Sequence, residues 1–167
     1  MVRTLALLIV ASLCWLPALS VAQDASVLIP EQSFDDLSAG DELSVPVNVE
    51  HSLDGTEYFF SQGSLTIEGI ISFDMEITYD ADVLKAVGIA TEETFSEGWM
   101  TAVNAEEPGL LRISGTSSAD PLQGPPAPLL YLRFEVVSHG ESELDFRTMQ
   151  FNNGEAFTTP GSVTIDE

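Results

Sequence analysis

Phe73, Met75, Ile77 and Tyr79 alternate with Ser72, Asp74, Glu76 and Thr78. This two-residue period belongs to a β-strand with one buried and one solvated face. It stops at Asp80-Ala-Asp82, and Val83-Leu84 turns the chain back toward the core. No segment of useful length carries a helical period, so the stretch constrains the chain to a sheet with a polar outer surface. Asp80 is placed to cap the turn by bonding backbone amides.

The rest of the chain repeats that grammar. Short strand patterns recur between turn signals at intervals of about 8–12 residues, as in an all-β sandwich. A first strand is expected over 26–34. A second has Leu43, Val45, Val47 and Val49 facing inward, with Pro46 set against an edge or bulge because it donates no amide. The connection 51–67, with the aromatic run Tyr58-Phe59-Phe60, has room for a small hairpin. Strands are expected over 84–90, then a hairpin of 100–105 and 110–116 around Glu106-Glu-Pro-Gly109. Proline-rich 116–128 reads as a loop. Residues 129–137 are apolar on both sides of the alternation, which predicts a strand covered on both faces. Leu144 and Phe146 alternate with Asp145 and Arg147, and Val163 and Ile165 belong to a last strand.

The first 22 residues read as a secretory signal. Arg3 precedes an apolar run from Leu5 to Leu16, Pro17 breaks it, and Ser20-Val-Ala22 supplies small residues for cleavage after Ala22. Cys14 lies inside that run and reads as one of its apolar residues rather than as a lipid attachment point. Residues 23–167 then form one exported, cysteine-free domain held by its core alone. No later run approaches the roughly 18 apolar residues of a membrane helix, so no membrane insertion is expected. The chain ends Ile165-Asp-Glu167 with no anchoring signal, the pattern of a module that does not tether itself.

Charge narrows the function. Beyond the signal, Lys85, Arg112, Arg133 and Arg147 stand against all 27 acids of the chain. Such a field repels nucleic acid and anionic membranes. Two explanations of that sign remain, a cationic partner or life in high salt, where self-repulsion is screened, and the even spread of the acids favours the second.

Catalysis finds no support. His51 and His139 fall in turns, and no nucleophile motif such as Gly-x-Ser-x-Gly occurs. Asp80 with Asp82, and Asp35, Asp36 and Asp41, offer oxygen ligands of the kind calcium takes. Neither run has the spacing of an EF-hand loop, so no metal site is assigned.

Read in order, the motifs resemble a cohesin domain. They are Gly40-Asp-Glu-Leu-Ser-Val-Pro-Val47, Tyr79-Asp-Ala-Asp-Val-Leu84, Trp99 ahead of Asn104, Leu129-Leu-Tyr-Leu-Arg-Phe-Glu-Val136, Phe151-Asn-Asn-Gly-Glu155 and Gly161-Ser-Val-Thr-Ile165. The resemblance spans nearly all of 23–167. It implies a nine-stranded jelly-roll β-sandwich whose first and last strands lie together. It also implies no cofactor and a dockerin-bearing partner, bound on the sheet of the third, fifth, sixth and eighth strands.

By alternation the outward residues of that sheet include Ser72, Asp74, Glu76, Arg112, Ser114, Thr116, Asp145 and Arg147, with Arg112 and Arg147 as anchors. Asp74 matches an aspartate that a familiar class of cohesins sets against dockerin. Ser72 replaces an asparagine of that class, Thr116 an acid, and the 51–67 connection is long, which leaves the class of dockerin open. The same residues equally form solvated cross-strand charge pairs. The alternative reading is a carbohydrate-binding module on this fold, stacking polysaccharide on Tyr58, Phe59, Phe60 and Trp99.

Overall fold

The alternation along the chain resolves into two facing sheets. The computed structural model describes residues 26–50, 57–59, 66–68, 70–117, 125–152 and 154–166, with the backbone alone for 57–59 and 66–68. The expected signal, with its cleavage site, and His51 lie outside the described residues. The strands are β1 (Ser26–Leu28), β2 (Gln32–Phe34), β3 (Glu42–Val49), β4 (Glu57–Phe59), β5 (Thr66–Glu68), β6 (Ser72–Thr78), β7 (Leu84–Ala90), β8 (Met100–Asn104), β9 (Leu110–Thr116), β10 (Ala127–Val136), β11 (Gly140–Phe151), β12 (Gly154–Glu155), β13 (Phe157–Thr159) and β14 (Gly161–Ile165). No helix occurs among the described residues.

One sheet runs β13-β1-β3-β10-β7 and the other β2-β14-β11-β6-β9-β8, with β12 paired to β11 and β4-β5 forming a separate hairpin. The expected all-β jelly-roll sandwich is what forms. Its first strand is β1 with β2 and its last is β13 with β14. With β3 and β6 to β11 these make the nine, and the hairpin β4-β5 and β12 are additions.

The first strand corrects the expectation of one continuous element over 26–34. β1 pairs in parallel with β13, and β2 in parallel with β14, in different sheets. The break falls at Ile29-Pro30-Glu31, where Pro30 has no N–H to continue a ladder. Ile29, buried, still donates its N–H to the Thr159 carbonyl at 3.1 Å before the chain changes sheets. The last strand changes sheets beside it at Pro160-Gly161. A Cβ on Gly161 would stand 2.2 Å from the Ile29 carbonyl oxygen.

The core fills the space between the sheets. Val45, Val47, Leu130, Leu132 and Phe134 face Phe73, Met75, Ile77, Ile113, Leu144 and Phe151, and all are essentially buried. Each side chain of this size contributes about 1.5–3 kcal/mol on leaving water. Tyr79 meets Phe134 edge-on with ring centroids 5.3 Å apart. Pro46 sits where β1 has left the sheet, since β1 pairs only with Asn48 and Val49 of β3.

Strand β10 corrects a second expectation, that both its faces are covered. Leu130, Leu132, Phe134 and Val136 are buried, whereas Tyr131, Arg133 and Glu135 are half-exposed. Val137 lies past the strand end and is 41% exposed. Leu129 is buried because the register slips between Pro128 and Leu130, turning two successive side chains inward.

Two polar side chains pin the ends of β6. Asp80 Oδ1 accepts from the Asp82 N–H at 2.9 Å, as expected of its capping role, and the Asp80 N–H donates to Ser142 Oγ at 2.9 Å. At the other end Asn152, with φ of +48°, accepts from the N–H groups of Ile71 (2.9 Å) and Ser72 (3.1 Å) through Oδ1. Asn152→Ala removes the acceptor of both bonds and puts a Cβ-bearing residue without local hydrogen bonding in the left-handed region. It is expected to destabilise by about 2–3 kcal/mol, read from the urea midpoint at constant m-value.

Candidate docking face

β6 carries its polar residues outward because its apolar ones go in, and the register decides what they meet. On β9, Thr116 lies opposite Ser72, Ser114 opposite Asp74 and Arg112 opposite Glu76. On β11, Gln150 lies opposite Asp74, Thr148 opposite Glu76 and Asp145 opposite Thr78. On β8, Met100, Ala102 and Asn104 lie opposite Thr116, Ser114 and Arg112. Directly opposed residues of antiparallel strands share a face, so these side chains form one surface on β8-β9-β6-β11. At ordinary strand spacing it is about 15 Å wide and roughly 20 Å long.

All eight outward residues expected from the sequence stand on this surface. Asp74, Thr116, Asp145 and Arg147 are exposed, while Ser72, Glu76, Arg112 and Ser114 are half-exposed. Arg147 arrives there by a bulge rather than by simple alternation. The register slips between Phe146 and Thr148, so Arg147 and Thr148 are both exposed.

The two guanidinia already have partners. Arg112 Nε lies 2.9 Å from Glu76 Oε1, and its Nη2 lies 2.9 Å from Glu107 Oε2. Arg147 Nε lies 3.6 Å from Glu76 Oε2. The hydrogen bonds to Glu107 and Glu76 raise the Arg112 pKa above its ordinary value, so its charge is permanent. Asp74 lies between the neutral Ser114 and Gln150 and has no ion pair among the described residues; neither has Asp145. Arg112 and Arg147 are thus members of a charge network, the cross-strand arrangement that the sequence also allowed.

Sequence reasoning missed Met100, Ala102, Asn104, Thr148 and Gln150. β8 is an edge strand with little alternation to read: Met100 is 74% exposed, and Val103, on the other face, is 40% exposed. The hairpin register would have found them, because whatever lies opposite an outward residue of β9 is itself outward. Between β8 and β6 the surface dips into a shallow depression of about 330 Å³, lined by Asp74, Ala102, Val103, Asn104, Arg112 and Ser114 among others. An open dip of this kind offers side-chain contacts rather than an enclosed space for turnover. Among the described residues no three His, Cys, Asp or Glu side chains converge as a metal site would require.

Of the four aromatics of the sugar-binding alternative, only Trp99 has a described side chain. Trp99 stacks on Phe73, ring centroids 5.9 Å apart and planes inclined at 24°, and packs against the core. One ring face of Trp99 is thus taken by Phe73, whose own ring lies over Gly115, where a Cβ would stand 2.3 Å from Phe73 Cε1. Tyr58 and Phe59 lie in β4, where only the backbone is described, and Phe60 lies outside the described residues.

No protein-family model matches the sequence, and no curated protein does either. Solved structures do match in shape. A non-cellulosomal cohesin from the hyperthermophilic archaeon Archaeoglobus fulgidus superposes with a TM-score of 0.62 over 86% of this chain and 92% of its own, at 13% identity. A cohesin module from a Clostridium perfringens family 33 glycoside hydrolase gives 0.64 over 87% and 99%, at 15% identity. The fold is that of a cohesin. A third cohesin, the sixth from Acetivibrio cellulolyticus scaffoldin B, gives 0.62 over 85% and 99% at 19% identity, and was crystallised in complex with a Cel5 dockerin mutant. At such identities the likeness carries the cohesin architecture and no residue-level role.

Proposed function

We propose that this chain is an exported, non-catalytic recognition module that docks a dockerin-bearing protein on the β8-β9-β6-β11 face, within an extracellular assembly that degrades polysaccharide. In this reading residues 1–22 are the signal and 23–167 the cohesin-like domain. The observation that carries it is an open, level, polar four-stranded face on a cohesin fold, a fold found elsewhere in complex with dockerin. The residues assigned to the partner are Ser72, Asp74, Glu76, Arg112, Ser114, Thr116, Asp145 and Arg147. A flat face of this kind gains affinity from a standard interface of about 1,600 Å² in which a few central residues dominate. Asp74 and the Arg112–Glu76 pair occupy that centre.

The test is capture of calcium-loaded dockerins by the purified protein in high salt, beside insoluble cellulose and chitin. Capture is expected, with a loss of at least about ten-fold on Asp74→Ala or Arg112→Ala. Arg133→Ala is the control, since Arg133 pairs with Glu42 on the other sheet and should leave capture unchanged. Retention on polysaccharide with no dockerin bound would replace this reading with the carbohydrate-binding one.

A further inference from the structure

Within the docking reading, the face also specifies the chemistry of its occupant. Four carboxylates, Asp74, Glu76, Glu107 and Asp145, stand on or beside it against two guanidinia. Both guanidinia are spent on Glu76 and Glu107, so an incoming carboxylate meets cations that are already neutralised. Asp74 is different. The strand register sets Ser114 and Gln150 directly opposite it, it has no ion pair among the described residues, and it is exposed at the wall of the depression.

Across that depression stand Ala102 and Asn104 of β8, with the already paired Arg112 and Glu76 also lining it, and Met100, on the same face of β8, is 74% exposed. With Arg112 neutralised by its glutamates, the dip offers one unpaired anion, Asp74, facing the aliphatic Ala102. Lysine and arginine match that pair with an apolar stem ending in a cation. Serine or threonine would leave Ala102 uncovered, and leucine would bury Asp74 against hydrocarbon at a desolvation cost. The sign of the whole domain, four cations against 27 acids beyond the expected signal, adds long-range attraction for a basic partner.

We infer that the occupant of this face is a basic protein surface that inserts one lysine or arginine into the depression, its stem along Ala102 and its cation on the Asp74 carboxylate. Nucleic acid and anionic membrane are refused by the same field. Met100, two residues before Ala102 on the same strand face and exposed, is within reach of such a stem as an adaptable contact.

The experiment selects for the chemistry without assuming a natural partner. A display library of a three-helix scaffold, randomised at exposed positions along one helix, is selected on the protein and depleted on its Asp74→Lys variant. The variant's thermal midpoint and Trp99 fluorescence are first matched to the parent. Clones that separate the two proteins are expected to concentrate Lys or Arg at one position and to lose about ten-fold or more in affinity on Asp74→Asn. Ala102→Glu, which puts an acid in place of the aliphatic contact and blocks the stem, should weaken the same clones. A pool with no basic enrichment overturns the inference, as does a failure to recover any clone that separates the two proteins. Dockerins that bind while the pool stays neutral would leave the docking reading standing alone. A basic pool with no dockerin bound would leave only the surface chemistry standing.

Discussion

Gly161→Ala is expected to remove a large part of the stability of this domain, about 3 kcal/mol or more, and Gly161→Val still more. The added Cβ would lie 2.2 Å from the Ile29 carbonyl oxygen, 2.7 Å from the Ile29 carbonyl carbon and 2.8 Å from the Pro30 carbonyl oxygen. All three are backbone atoms, so no rotamer change relieves the clash. The backbone has little room to retreat, because Ile29 is buried and holds Thr159, and β2 and β14 are paired immediately beyond. Overpacking of a fixed site costs about 1–3 kcal/mol or more, and a contact against backbone belongs at the upper end or above it, out of the roughly 5–15 kcal/mol available to a domain.

Gly98→Ala is the comparison. Gly98 has φ of +77° with nothing within 4 Å of the added carbon, so only the left-handed strain of about 1–2 kcal/mol applies. Urea midpoints of the two variants should therefore differ widely. A Gly161→Ala protein within 1 kcal/mol of the parent would mean that the first and last strands do not cross this closely.

The second large effect is expected from salt. The thermal midpoint should rise by on the order of 10 °C between 0.05 and 2 M sodium chloride, as the screening length shrinks from over 10 Å to below 3 Å. Two terms oppose each other. Salt weakens the pairs Lys85–Glu135, Arg112–Glu76, Arg112–Glu107, Arg133–Glu42 and Arg147–Glu76. These are all partly exposed, and such pairs contribute under about 1 kcal/mol each.

Against them stands the repulsion among the remaining carboxylates, for which no cation is left: each of the four cations beyond the expected signal already holds a glutamate. Repulsion among so many like charges outweighs a handful of screened pairs, so the sign is positive. Chloride is the salt to use, because sulfate would also strengthen apolar burial. A midpoint that is flat or falls with chloride would show that the acids do not strain the fold, and would remove the reason to assign this protein to a saline habitat.

Much of this architecture could be read where a strand has one wet face. Phe73, Met75 and Ile77 announce both the strand and its inner side, and the outward set on β6 and β9 follows directly. The reading failed where alternation is broken or absent. Leu129 and Leu130 are consecutive and both buried, which looks like two covered faces until a register slip is allowed. Ser26 to Phe34 looks continuous because a change of sheet at a proline leaves no mark on hydropathy. β8 sits at an edge, so Met100 and Ala102 carry no pattern that separates an outward residue from an inward one.

The charge network was illegible for a different reason. Arg112 and Glu76 are 36 positions apart and meet only because β6 and β9 pair in one register out of several. The Arg147–Glu76 contact depends further on a bulge. Composition gave the number of cations, and tertiary structure alone decided that none would be free on the docking face.

Among the described residues, β2 pairs with no strand but β14, whose residues lie about 130 positions further along. A chain emerging from its N-terminus must therefore hold Gln32 to Phe34 unpartnered until Gly161 to Ile165 have been made. Closing so long a loop is entropically uphill and comes late. The sandwich is thus closed only once this segment has been made, and chains truncated ahead of it are expected to stay open to proteolysis.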